Sequence, residues 1–335
     1  YLKLDKKQEA LNAFRNASQM DFNPEIQKDA YLNYARLSYE IGNAYEPVPK
    51  VLTNYLEKYP NDSNKAEMQE LLVDSYITSK NFAGAMELLE KNKNFASKAT
   101  YQKVAFYRGV ELFLEGNYEQ ASAVFKKSLD NAEDQYFKAR SSYWKAESDY
   151  NMNHFDEAVA GYLQFKSNPS AKATPEFKDL NYNLAYTYFK LRNYNNAITS
   201  FSSYVETGSG DSEKLNDAYL RLGDSYFVSS KYWPAIETYN KAIARNSASS
   251  DYAAYQKALS YGFVDRSATK IEELSNFVSR YPNSSLKDDA MFELANSYVR
   301  ANNTERGLQL YDQLTMDYKG SSLVPQAMLR QGLVH

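Results

Sequence analysis

Cysteine is absent from the 335 residues, and histidine occurs only as His154 and His335. That excludes a disulfide framework, a thiolate nucleophile and a cysteine zinc site, and it leaves no pair of histidines within ordinary reach for a metal. No metal site and no cofactor are expected. Glycine (12) and proline (9) are scarce, so turns are few and helix is favoured. No stretch approaches the ~18 uninterrupted apolar residues of a membrane span, and no charged leader with an apolar core and cleavage signature opens the chain. Charge of one sign is missing too: 39 Lys plus Arg against 42 Asp plus Glu gives −3. Without a broad cationic field, nucleic acid is not an expected partner. Phosphate loops fail on inspection, since Gly208-Ser-Gly210 runs on into Asp-Ser-Glu213 and reads as a turn.

Tyrosine is abundant instead: 31 of them, with 17 Phe and 2 Trp, make the chain 15% aromatic. Such side chains carry apolar area with a polar tip and suit half-buried surfaces. They also recur in register. An aromatic, then a small residue three positions on, then an aromatic or leucine four later is found at Phe82/Ala85/Leu89, Tyr118/Ala121/Phe125 and Phe155/Ala158/Tyr162. Tyr194/Ala197/Phe201 and Tyr232/Ala235/Tyr239 continue the series. The small residues stand 36, 37, 39 and 38 positions apart, and Ala10, Val48, Lys270 and Gly307 fall on the same grid. A fixed period of this size is the mark of a repeat architecture.

Upstream of each copy lies a second signature, fullest as Tyr219-x2-Leu222-Gly223-x2-Tyr226 and again as Leu184-Ala185-x2-Tyr188. Together the two resemble the tetratricopeptide repeat, over nearly the whole chain, with a period near 37 instead of the ~34 of that consensus. The resemblance implies an all-α fold: a right-handed α-α superhelix, or solenoid, of about nine helix hairpins. It implies one solenoid over 1–335, cut from a longer array. A truncated second helix is expected near 5–19, then repeats near 25–60, 64–95, 100–131, 135–168, 176–208, 214–247, 250–283 and 286–319, and a truncated repeat at 322–335. The phrases Leu56-Glu-Lys-Tyr-Pro-Asn-Asp62 and Val278-Ser-Arg-Tyr-Pro-Asn-Ser284 further resemble bacterial envelope proteins of the outer-membrane assembly lipoprotein and Tol-Pal coordinator type. A periplasmic or envelope-associated location is the expectation from that likeness, with the cytoplasm as the alternative.

Within a copy, Leu184, Ala185, Tyr188 and Leu191 mark one helix face and Ala197, Ile198, Phe201 and Tyr204 the next. Small residues such as Ala185, Gly223, Ala197 and Ala235 belong where two helices cross at the general spacing of ~8–10 Å. Links such as Glu115-Gly-Asn117 and Leu191-Arg-Asn193 supply a glycine or asparagine for the helix end. Acidic pairs such as Asp156 and Glu157 are accounted for by the positive end of a helix dipole, and His154 by a polar turn. Nothing marks a strained nucleophile turn, so no catalytic residue and no enzyme activity are expected.

In tetratricopeptide arrays the first helices line a concave groove. Carrying that geometry onto this register assigns to the groove Phe106, Tyr107, Tyr143, Trp144, Glu147, Tyr182, Asn183 and Tyr186, and further along Arg221, Asp224, Phe227, Tyr255, Phe292 and Asn296. The lysines with which chaperone-binding members hold a terminal carboxylate are replaced by Phe106, Tyr143, Tyr182, Leu220 and Tyr255, so that clamp is absent. The expected function is a non-catalytic scaffold that binds a protein or extended peptide in the groove, in a bacterial cell-envelope complex. Two alternatives are a glycan-binding helical-repeat protein and a structural spacer that self-assembles into homo-oligomers through its open ends. The same aromatics could also serve only to pack neighbouring first helices together.

Overall fold

A computed structural model describes residues 1–208 and 210–334; Ser209 and His335, named above, lie outside the described residues. Among the described residues the chain forms eighteen α-helices, a few short 3-10 turns and no strand. It divides into two compact units, Tyr1–Phe177 and Lys178–His335.

The first unit holds α1 (Lys7–Ser18), α2 (Pro24–Ile41), α3 (Val48–Lys58), α4 (Lys65–Thr78), α5 (Phe82–Lys91), α6 (Lys98–Leu114), α7 (Tyr118–Asp130), α8 (Gln135–Asn151) and α9 (Phe155–Ser167). The second holds α10 (Leu180–Lys190), α11 (Tyr194–Thr207), α12 (Ser212–Val228), α13 (Tyr232–Ala244), α14 (Ser250–Gly262), α15 (Ser267–Arg280), α16 (Lys287–Arg300), α17 (Thr304–Asp317) and α18 (Val324–Val334). Helices α2 to α17 pair off as hairpins, each with a first helix of even number and a second of odd number.

The small grid residues sit at the crossings. Ala85, Ala121, Ala158, Ala197 and Ala235 are all fully buried. On the facing helices, a Cβ added to Gly109 would lie 2.6 Å from Phe125 Cε1, and one added to Gly223 would lie 2.5 Å from Tyr239 Cε1. The aromatic ring of the second helix thus rests on bare backbone of the first, and the close approach is what fills the core without a void. At the end of the second unit, Met328, Leu329 and Leu333 on α18 are exposed.

Seven first helices end in the same way. Lys80, Gly116, Asn153, Arg192, Ser230, Asp265 and Asn302 take left-handed backbone with φ between 56° and 80°. The N–H of the residue after each returns to the carbonyl five positions back at 2.8 to 3.1 Å, as in Asn81 to Tyr76 and Lys231 to Tyr226. This closure satisfies the last carbonyls of the helix. The residue donating that bond is the cap of the next helix; Asn81, Asn193 and Asn303 also accept a backbone N–H with their side chains. Only three residues, or four between α14 and α15, therefore link the two helices of these hairpins, which is why few glycines suffice. His154 holds one of these cap positions on the surface.

Only Gly116 meets the left-handed requirement freely. For an L side chain that conformation costs roughly 1–2 kcal/mol, part of which glycine gives back through its larger unfolded-state entropy. Lys80→Gly, Arg192→Gly and Ser230→Gly are each expected to stabilise the protein by about 0.5–1 kcal/mol. Thermal unfolding checks this, and a lowered melting temperature in all three would refute it.

Candidate functional site

The groove positions expected from the sequence divide by what they touch. In the first unit, Phe106 has no exposed surface and Tyr143 only 5%. Phe106 packs on Phe137 with ring centroids 5.4 Å apart, under the Arg140 guanidinium at 4.6 Å. Tyr143 packs edge-on against Tyr162 and Phe165. Both are core residues. Tyr107 stacks on Phe82 at 4.9 Å. Trp144 is half-buried, its ring edge-on to Phe113, and its Nε1 donates to Glu176 Oε1 at 2.9 Å. The same carboxylate oxygen takes Arg140 Nε at 2.8 Å. Trp144 is thereby held to the 3-10 turn Pro175–Asp179 that follows α9.

Glu147, Asp224 and Asn296 share a different fate. Each accepts the hydroxyl of a tyrosine fifteen residues on, in the second helix of its own hairpin: Tyr162 to Glu147 at 2.7 Å, Tyr239 to Asp224 at 2.8 Å, Tyr311 to Asn296 at 2.6 Å. The three tyrosines are at most 1% exposed. A phenol brought into a helix crossing needs an acceptor there, and the first helix supplies one. Where the second helix carries Phe125 or Leu274 at that position, the first carries Val110 or Leu259. The polar groove residues are therefore latches within hairpins.

In the second unit the latch extends between first helices. Tyr182 Oη donates to Asp217 Oδ2 at 2.8 Å, and Tyr186 donates to the same oxygen. Arg221 Nε donates to Tyr186 Oη at 3.3 Å and its Nη1 to Asp224 Oδ2 at 2.9 Å. Tyr252 of α14 donates to Asp224 Oδ1 at 2.9 Å. This chain of bonds joins α10, α12 and α14. Burial, aided by Asp217, pushes Tyr186 up to about 12. The Asn183 carbonyl accepts from Thr187, and Phe292 rests on Tyr311 at 5.8 Å.

Phe227 and Tyr255 remain, and they share one cleft. It has a volume of about 400 Å³ and is walled by α12, α14 and α16, with Phe263, Lys270, Glu293 and Arg300 completing it. Phe263 is 58% exposed, stacks on Tyr232 at 4.7 Å and meets Phe227 edge-on at 5.6 Å. Lys270 Nζ lies 2.9 Å from Glu293 Oε2. Burial, with the nearby Asp289 and Glu293, pushes the Tyr255 phenol well above its ordinary range. Burial, reinforced by Asp288 and Glu293, also raises Asp289. The groove register did not include Phe263, Lys270, Glu293 or Arg300, because Phe263 lies just past the helix end and Lys270 on a second helix. A signal was present in Lys270, the one charged residue on a grid of small ones.

Two family models, both described as tetratricopeptide repeat, match residues 179–206 and 289–321. These stretches carry the hairpin α10/α11 and most of α16/α17. The chain contains tetratricopeptide repeats. Among solved structures, the C-terminal part of a tetratricopeptide repeat-containing protein from Cytophaga hutchinsonii is 12% identical with a TM-score of 0.55 over 76% of this chain and 97% of that one. That likeness is one of fold. YrrB, described as a tetratricopeptide protein with an unusual peptide-binding site, is 20% identical over 62% of this chain and 96% of its own, with a TM-score of 0.48. MamA is 21% identical over 52% and 94%, with a TM-score of 0.43. No curated protein matches the sequence. Among the described residues, no helix is long and apolar enough to cross a membrane, and no three metal-binding side chains come together.

Proposed function

We propose that this chain is a protein-interaction scaffold that takes an extended segment of a partner in the first-helix cleft of its second unit. One observation carries the reading: Phe263 keeps most of its surface exposed at the rim of a cleft whose other aromatics, Phe227 and Tyr255, are half-buried. A large ring held rigidly by stacking and left in solvent provides contact area at low entropic cost. The remaining groove aromatics are committed to packing and latching, so the binding surface is this cleft and not the whole run of first helices. The Tyr-Pro-Asn phrases support an envelope setting for the complex, and fractionation of cells expressing the native gene would test it.

Peptides selected from a displayed library on the wild-type chain are expected to bind Phe263→Ala about 30-fold more weakly, the loss typical of an aromatic anchor worth ~2 kcal/mol. Their binding to Trp233→Ala is expected to stay unchanged, because Trp233 lies on a second helix outside the cleft. Selected peptides that bind Phe263→Ala as tightly as wild type would remove the assignment.

A further inference from the structure

The turns that close the hairpins of the second unit lie side by side along one edge of it. Lys231 Nζ reaches Asn195 Oδ1 at 3.5 Å from one turn to the next, Phe263 stacks on Tyr232, and Phe263 shares the cleft lining with Arg300 and Ala301. From the last residue of each first helix to the third of the second, these four turns carry Lys190, Arg192, Lys231, Arg266, Arg300 and Arg306 against Asp265 and Glu305, all of them exposed. That is a surplus of positive charge in a chain whose net charge is −3. The ion pairs of the unit use Lys214, Arg221, Lys257 and Lys270; none of the six edge cations forms one among the described residues. The next acids, Glu237 and Glu272, stand beyond the first turn of their helices. At the other end of the helices the links are mixed, with Asp211 and Glu213 beside Lys214 and with Lys287 beside Asp288 and Asp289.

Helix stability explains Lys190 and Arg300, which stand at the negative ends of α10 and α16, but not the others. Lys231 and Arg266 are the N-caps of α13 and α15, and neither side chain makes a capping bond. That position favours a short side chain that accepts an N–H, and the positive end of the dipole repels a cation. Asn81, Asn193 and Asn303 fill it in other hairpins and do accept one. Arg306, in the first turn of α17, also stands against the dipole. The same edge bares apolar surface: Val228 is 53% exposed and Trp233 49%, on either side of the turn that holds Lys231. Apart from Phe263 in the cleft, Met316 and three side chains of α18, these are the large apolar residues left exposed among the described residues of the unit.

We infer that this edge docks the second unit onto a bilayer surface rich in anionic lipid. The unpaired cations face the headgroup charge, the indole of Trp233 sits at headgroup level, and Val228 reaches the acyl boundary. Charge complementarity sets the sign of the occupant. The bare apolar side chains favour a surface with an apolar interior over a nucleic acid, whose backbone is held in a cationic groove and not on a row of turns. The docking edge is independent of the peptide reading of the cleft, since it uses Trp233 and not Phe263.

The test is cosedimentation of the whole chain with vesicles of phosphatidylcholine alone, or mixed in equal parts with phosphatidylglycerol. Binding to the anionic vesicles is expected to be at least about 50-fold tighter than to the neutral ones, with a preference that shrinks in high salt. Lys231→Asn combined with Arg266→Asn installs the cap found in other hairpins, so the double variant is expected to melt at or above the wild-type temperature. Its binding to anionic vesicles is expected to fall about 25-fold, or about fivefold per cation. Brominated lipid in those vesicles is expected to quench wild-type tryptophan fluorescence and to spare Trp233→Phe, whose remaining indole, Trp144, is held to Glu176 in the first unit. Equal binding to both kinds of vesicle, binding to neither, undiminished binding by the double variant, or a double variant that melts below wild type would overturn the inference. Retention by a single-stranded oligonucleotide with none by the vesicles would overturn it in favour of nucleic acid.

Discussion

Asp224→Ala is expected to destabilise the second unit by about 3–5 kcal/mol, the range for a buried charged network that loses one member. Its carboxylate collects the hydroxyls of Tyr239 and Tyr252 on Oδ1 and the Arg221 guanidinium on Oδ2. Alanine there strands both phenols, one of them fully buried, and each unsatisfied group alone costs ~1–3 kcal/mol. Tyr239→Phe removes the same Tyr239 bond from the other side. It leaves the carboxylate with two partners and no orphaned donor, so its cost is expected near 1 kcal/mol. Urea unfolding followed by circular dichroism measures both. Similar losses in the two variants would mean that the acceptor is not what keeps these phenols in the core.

The same contrast explains which parts of the molecule could be read from the sequence. Small residues every 36 to 39 positions identify helix crossings, because an α-helix repeats its faces locally and a crossing admits little else. The short hairpin turn is half legible. Gly116, Asn153 and Asn302 signal a left-handed residue, whereas Lys80, Arg192 and Ser230 do the same work with no such signal. Their backbone is set by the closing hydrogen bond and by the packing of the next helix, which overrides local preference.

The latches were hidden for another reason. Tyr239 and Asp224 are fifteen residues apart on different helices, so no helical period links them: Tyr239 reads as a repeat aromatic and Asp224 as a groove residue. Position in the register placed Glu147, Asp224 and Asn296 facing a ligand; geometry gives them to Tyr162, Tyr239 and Tyr311. Side-chain reach, not register, decides between those fates.

The latches also set how the protein responds to alkali, where stability is expected to be flat from about pH 8 to 9 and to fall steeply above about pH 10. Burial, followed by the carboxylate each phenol is bonded to, raises Tyr162 and Tyr239 well above 10. A folded-state pKa above the unfolded one means that the stabilisation is complete below pH 10. It is lost as pH rises towards the folded value, because the unfolded chain has already released its phenolic protons while the folded chain has not. Each such phenol removes ~1.4 kcal/mol per pH unit, so these two together remove about 3. Tyr31 and Tyr186, pushed up to about 12 chiefly by burial, extend the window but add less because solvent screens them. Phenolate absorbance at 295 nm recorded alongside circular dichroism separates the groups: exposed tyrosines ionise first with the helices intact, and the latched ones only as helix is lost. In Tyr239→Phe the pH slope of unfolding is expected to drop by about one proton. Titration of all 31 tyrosines near pH 10 with the helical signal unchanged would show that the phenols are not held by the fold.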